Sequence, residues 1–329
     1  MPVPPYHADI AVILVNLGTP EAPTPSAVRR YLREFLSDRR VVEAPRLLWW
    51  LVLNLFVLPF RPRRVAKLYA AIWTKEGSPL LVFTRALAVK VGAAIADPRV
   101  RVHAAMSYGE PSLAALLWKL EAENVKRVLV LPLYPQFSAT SSGVVVDIVA
   151  RYLQQTRRAP DLRIVRDYCD DPAYLDAVAD SIRRFRAAEG ADSHLMFSFH
   201  GIPQFCADRG DPYPHCCETT ARGVAARLGL PENAWTLAYQ SRFGRLQWLR
   251  PYADETLKSW PQQGVKSLQV VCPGFAVDCL ETLEEVAEQN RETFLHAGGE
   301  RYAYIPALND SPAHADLLAA LARAHVAGW

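Results

Sequence analysis

The strongest constraint on the fold is a recurring apolar, β-branched run with no polar face. Ile10 to Asn16 reads IAVILVN and stops at Gly18-Thr19-Pro20. A half-solvated strand would alternate in polarity. A run apolar on both sides suits a parallel strand covered by helices above and below. The pattern returns at Lys126–Leu131, Leu195–Phe199 and Ser267–Val271, and more weakly at Arg101–Met106, Leu162–Val165, Trp235–Gln240 and Tyr302–Ile305.

Between these runs lie stretches with helical spacing. They cover Ser26–Leu36, Pro79–Ile95, Pro111–Glu121, a segment ending near Gln155, Pro172–Ala188, Tyr213–Leu228, Pro251–Trp260, Asp278–Thr293 and Ala313–Val326. Strands alternating with helices imply crossover connections and parallel sheets. The expected fold is α/β: two similar Rossmann-like lobes, each a parallel sheet flanked by helices. The first lobe is expected over residues 1–166, joined by the C-terminal helix 311–329, and the second over residues 167–310. No GxGxxG follows the first strand, so the dinucleotide fingerprint is missing. A cleft between the lobes is the default ligand site.

With 329 residues, half of them hydrophobic, the chain can bury a sizeable core. Its 37 basic and 34 acidic residues leave a net charge of +3 without a dense basic run. Nucleic acid is therefore not an expected partner. The six cysteines, Cys169, Cys206, Cys216, Cys217, Cys272 and Cys279, form no CxxC pair, which suits free thiols in a reducing cytoplasm. Cys206, His215, Cys216 and Cys217 lie close in sequence, but adjacent cysteines seldom close a tetrahedral metal set. The N-terminal MPVPPYHAD lacks the charged-then-apolar order of a signal peptide.

Leu47–Phe60 (LLWWLVLNLFVLPF) is the most apolar window. It is shorter than the roughly 20 residues a membrane-spanning helix needs. Arg39, Arg40 and Arg46 precede it, and Arg61, Arg63, Arg64 and Lys67 follow. Two readings stand: a lip that rests on a membrane surface or covers an apolar ligand, or a buried core helix.

Candidate site residues sit at strand ends, because ligands of open α/β sheets bind outside the carboxyl ends of the strands. His200 closes one strand and is followed by Gly201 and Pro203. By itself it fits a satisfied structural histidine better than a functional one. After the Ser267–Val271 strand, Asp278 is placed as an N-cap with Glu281 at the third helical position, a capping-box pattern. Glu281, Glu285 and Glu288 share one face at α-helical spacing. If that face meets the cleft, its carboxylates together with an imidazole suit a divalent transition metal such as iron. Asn16–Pro20 and Tyr134–Ser138 would add an apolar wall with hydroxyl edges, and Trp248 an aromatic face, for a flat hydrophobic ligand.

NLGTP, WTKEGSPL, LPLYPQFS, SFHGIP, SRFG…WL and CPGFAVDCLETLEE occur in this order from about Ile10 to Pro312. Together they resemble the ferrochelatases, in their proteobacterial form: lyases (metal chelatases) that insert Fe2+ into protoporphyrin IX to make haem. The resemblance implies His200 and Glu281 as catalytic residues, with His200, Glu281 and Glu285 contacting the metal. It implies a porphyrin wall of Leu17, Tyr134, Trp248 and Phe275, with Ser138 as a hydroxyl edge. Protoporphyrin IX and Fe2+ are then the substrates, and no tightly bound cofactor or iron–sulfur cluster is expected. The expected location is the cytoplasm, with peripheral membrane contact through Leu47–Phe60. The chain departs from the family pattern at Cys279, where many members carry histidine, at Ser107, where some carry arginine, and at Gln289, a third acidic position. The rival readings are a chelatase of coproporphyrin III or sirohydrochlorin, and a non-catalytic haem-binding protein.

Overall fold

The computed structural model describes residues 9–244 and 246–329. Residues 1–8, on which the expectation about a signal peptide rests, lie outside them. The described chain forms two compact units. The first runs to Leu133 and includes Ala139–Asp167 and Asp310–Trp329. The second comprises Tyr134–Ser138 and Tyr168–Asn309.

The first unit holds β1 (Ile10–Gly18), β2 (Val100–Tyr108), β3 (Arg127–Pro132) and β4 (Asp161–Ile164), all parallel, in the order β2-β1-β3-β4. The second holds β5 (His194–His200), β6 (Trp235–Gln240), β7 (Ser267–Val271) and β8 (Arg301–Ile305), again parallel, in the order β6-β5-β7-β8. The expected pair of parallel α/β sheets is thus present, and both sheets share one topology.

The apolar runs behave as two-sided core strands. Ile10 to Val15 are all buried, as are Leu195, Met196, Phe197 and Phe199 on β5. The helix Pro312–Val326 packs on Pro79–Ile95 within the first unit, where Arg323 donates to the Ala94 carbonyl at 3.0 Å. In the second unit Val286 and Phe294 join a core of Met196, Leu257, Leu268 and Val270. Burying side chains of this size contributes about 1.5–3 kcal/mol each, and these two fasten the helical segment after β7 to the sheet.

The Leu47–Phe60 stretch is helical but not a buried core helix. It spans Arg46–Val52, a π-helical segment Leu53–Val57 and the start of Leu58–Ile72. Leu47 is 76% exposed, Phe56 64% and Phe60 71%. Within it only Leu53 and Leu58 are buried. Uniform apolarity alone does not say which face a helix buries, and here most of the apolar surface is left outward. Among the described residues no helix is long and apolar enough to cross a membrane.

Candidate active site

The chain leaves β5 towards β6 on one side and crosses back to β7 on the other, so the strand order reverses between β5 and β7. At such a switch point the connections diverge and leave a crevice outside the carboxyl ends of the strands. His200 ends β5, and the loop Cys272–Phe275 leaves β7 towards the helix of Glu281. Topology therefore brings two sequence-distant candidates to one sheet edge.

His200 is held in a defined tautomer. Its Nδ1 lies 2.7 Å from the Gly201 carbonyl. A carbonyl can only accept, so the neutral ring carries its proton on Nδ1 and leaves the Nε2 lone pair free. Phe275 lies beside the ring, with centroids 6.5 Å apart and planes tilted by 55°. The turn after His200 needs glycine for close approach. A Cβ at Gly201 would stand 3.0 Å from the Gln240 carbonyl oxygen and 3.2 Å from Trp248 Cε3. Trp248 is fastened in turn: its indole N–H donates to the Phe243 carbonyl at 3.0 Å, and the Leu249 amide donates to Ile202 at 3.0 Å. The structure thus brings Trp248 against the His200 turn.

The capping box expected for Glu281 is absent. The Asp278 amide donates to Asn309 Oδ1 at 2.7 Å, so Glu281 does not reach back to it. Asp278 itself accepts from Thr282 Oγ1 (3.0 Å), Tyr304 Oη (2.6 Å) and Asn309 Nδ2 (2.7 Å). Partners 26 and 31 residues away win over the local cap. The Glu281 carboxylate is not consumed as a helix cap. Beside it lies Cys279, whose thiol is pushed well above its ordinary value, first by burial and then by the Glu281 charge. That thiol stays protonated and faces Glu281 as a donor, not as a thiolate ligand.

Glu281–Asn290 is a π-helix, continued by Arg291–His296. Its i→i+5 hydrogen bonds need more than four residues per turn. Glu284 accordingly pairs with Gln289, whose amide nitrogen lies 2.7 Å from both carboxylate oxygens. The wider turn corrects the acidic stripe. Glu281 and Glu285 remain half-buried, while Glu288 swings out to solvent.

Glu285 is gripped by Ser241, which follows β6. The Ser241 amide donates to Oε1 at 2.8 Å and its hydroxyl to Oε2 at 2.6 Å. Burial pushes the Glu285 carboxyl up. The Ser241 hydrogen bond and the nearby His200 pull it back, while the Glu281 charge adds to the rise. Glu285 therefore senses both His200 and Glu281 electrostatically. The three do not form a closed ligand set: among the described residues no group of three or more His, Cys, Asp or Glu is disposed to hold a metal.

The remaining candidates divide. Tyr134 is half-buried, in a segment that packs with the second unit. Ser138 is buried and donates to Asp211 Oδ2 at 2.9 Å. Leu17, at the carboxyl end of β1, belongs to the first unit. Cys206, Cys216 and Cys217 are buried, whereas His215 is exposed, so the sequence cluster does not converge. Sequence reasoning missed Ser241, although its place directly after a strand end was a usable signal.

A family model described as Ferrochelatase matches residues 9–326. The chain is 53% identical over 324 residues to the ferrochelatase of Psychrobacter cryohalolentis, covering 97% of this chain and 95% of that relative. It is 54% identical to the ferrochelatase of Methylococcus capsulatus, covering 98% of each. Among solved structures, a sirohydrochlorin chelatase from Bacillus subtilis subspecies spizizenii, in complex with cobalt, matches with a TM-score of 0.56 over 96% of both chains at 11% identity. At that identity the likeness speaks for the fold alone. A family match over nearly the whole length, joined to half-identical relatives, shows that this chain belongs to the ferrochelatase family.

Proposed function

We propose that this chain is a ferrochelatase that inserts ferrous iron into protoporphyrin IX to form protohaem. Family membership supports the reaction class. The observation that carries the site assignment is that His200, its Nδ1 held by the Gly201 carbonyl and its Nε2 left uncommitted, and Glu281, its carboxylate not consumed by helix capping, follow the two strands that flank the β5/β7 switch point.

Insertion requires the iron to shed water and two pyrrole N–H protons to leave as the iron–nitrogen bonds form. A planar ring hides its nitrogen lone pairs, so a surface that binds a puckered ring more tightly than a flat one lowers the barrier. In this proposal Phe275 offers an aromatic face to the macrocycle, and Trp248, buried against the His200 turn, backs that wall. His200 Nε2 takes a pyrrole proton, for which an imidazole is suited near neutral pH. Glu281 and Glu285 offer hard oxygens to incoming Fe2+ and a path for departing protons. Fe2+ is a substrate here, and the reaction is proposed to need no resident cofactor. We place the chain in the cytoplasm, in peripheral contact with a membrane surface through Leu47–Phe60. The exposed Leu47, Trp50, Phe56 and Phe60 between arginine-rich flanks support that contact.

Anaerobic turnover with Fe2+ and protoporphyrin IX tests the assignment. His200→Ala and Glu281→Gln should each lower kcat by about 10²–10⁴-fold, the usual share of a positioned acid or base. Near wild-type turnover in either variant removes that residue's role. Faster turnover of coproporphyrin III or sirohydrochlorin than of protoporphyrin IX would overturn the substrate.

A further inference from the structure

Gln240 closes β6 and is 2% exposed, so its carboxamide must find partners inside the protein. It finds them on every element that builds the candidate site. Its Oε1 accepts from Ser198 Oγ on β5 at 2.6 Å and from Cys272 Sγ, just past β7, at 3.5 Å. Its Nε2 donates to the Glu281 carbonyl at 3.3 Å. Its own main-chain carbonyl accepts from the Gly201 amide at 2.8 Å. The Glu281 carbonyl can only accept, which fixes the amide with its nitrogen towards the helix.

These bonds form one chain from acid to base. The helix backbone that carries the Glu281 carboxylate hangs on Gln240 Nε2. Gly201, whose carbonyl accepts from His200 Nδ1, hangs on the Gln240 main chain. His200 and Gln240 are also direct partners in the β5/β6 ladder. An apolar side chain would fill the same volume without fixing either direction.

We infer that Gln240 is the positioning residue that sets the spacing between the His200 imidazole and the Glu281 carboxylate. It touches neither reacting group. The inference rests on the ferrochelatase reading for its assay, and its signature is a loss in kcat with substrate binding intact. Displacements of an ångström in a catalytic constellation cost up to about a hundredfold in rate.

The test uses Gln240→Met, which keeps length and loses every side-chain hydrogen bond, and Gln240→Glu, which keeps the acceptor towards Ser198 and loses the donor to Glu281. Both are assayed with Zn2+ and with Fe2+, alongside Ser198→Ala and the double variant Gln240→Met with Glu281→Gln. Gln240→Met should lower kcat by about ten- to a hundredfold while KM for porphyrin and its affinity by fluorescence quenching stay within about threefold. Added to Glu281→Gln it should cost less than about threefold more, because both act through one constellation. Ser198→Ala, which loosens the amide at one point, should fall between wild type and Gln240→Met. Loss of kcat that merely follows loss of folded protein, full additivity with Glu281→Gln, or kcat within twofold of wild type would each overturn the inference. A wild-type chain without turnover on either metal would instead sink the ferrochelatase reading.

Discussion

Gly201→Ala offers a quantitative test of how tightly the His200 turn is built. The added methyl would meet Gln240 O at 3.0 Å, Trp248 Cε3 at 3.2 Å and Tyr239 Cβ at 3.7 Å. The nearest atom is main chain in β6, which cannot turn aside. Trp248 is held by its indole hydrogen bond, by the Tyr252 hydroxyl at its amide (3.3 Å) and by the neighbouring Leu249–Ile202 bond. Relief therefore needs a displacement of a few tenths of an ångström, shared by the turn and the indole. Overpacking of this kind costs about 1–3 kcal/mol. The same displacement separates His200 from Trp248, and we expect kcat to fall about tenfold. Gly223→Ala serves as the contrast. Its methyl would lie closer to a neighbour, 2.7 Å from Leu175 Cδ1, but that atom is the end of a side chain between helices Tyr213–Leu228 and Pro172–Glu189. Gly223→Ala should lower the unfolding midpoint and leave kcat per folded molecule unchanged. Steady-state kinetics and thermal unfolding on both variants decide the matter. If Gly201→Ala keeps wild-type kcat, or Gly223→Ala loses as much, the turn does not set the site geometry.

Three further outcomes are expected. Asp278→Asn replaces one of the two carboxylate oxygens, which accept separately from Tyr304 and Asn309, by an amide donor, and should cost about 2–3 kcal/mol in urea unfolding; an unchanged midpoint would show that the hub has slack. His194 has its proton affinity lowered, mainly by burial and then by the Arg186 charge. The unfolded chain then binds a proton that the folded chain refuses, so stability falls as pH drops below 6.5. His194→Gln should flatten that acid limb by up to about 1.4 kcal/mol per pH unit, read as denaturant midpoints at several pH values; an identical limb in the variant counts against the assignment. Replacing Leu47, Phe56 and Phe60 together by Ala should lower sedimentation with anionic vesicles by about tenfold or more, each side chain being able to bury about 1.5–3 kcal/mol of apolar surface. Trp49 is a poor probe of that contact, because its indole N–H is tied to the Leu36 carbonyl at 2.6 Å.

The eight strands were legible because each is a local event: an apolar run stopped by glycine, proline or a polar cluster. Trp235–Gln240 and Ser267–Val271 have the boundaries that the sequence implies. Strand-end logic likewise reached His200 and Phe275. What was illegible depends on distant partners. Asp278 and Glu281 match a capping box letter for letter, yet Asn309 takes the amide that Glu281 would have accepted. The π-helix leaves no mark in ETLEEVAEQN, whose acidic residues read equally well at α-helical spacing. The exposure of Leu47–Phe60 could not follow from composition, since an all-round apolar helix names no preferred face.

Ser241 adopts a left-handed backbone conformation, with φ of 66°. For an L-residue this conformation costs about 1–2 kcal/mol relative to the right-handed basin. Glycine would be free of that cost but has no hydroxyl with which to hold Glu285. Losing a hydrogen bond to a largely buried carboxylate costs about 1.5–3 kcal/mol, at least as much as the backbone would regain. Directed evolution that screens only for survival after heating should therefore keep serine at 241, although the backbone there favours glycine. At residue 241 the side-chain bond, not the backbone preference, decides which residue endures.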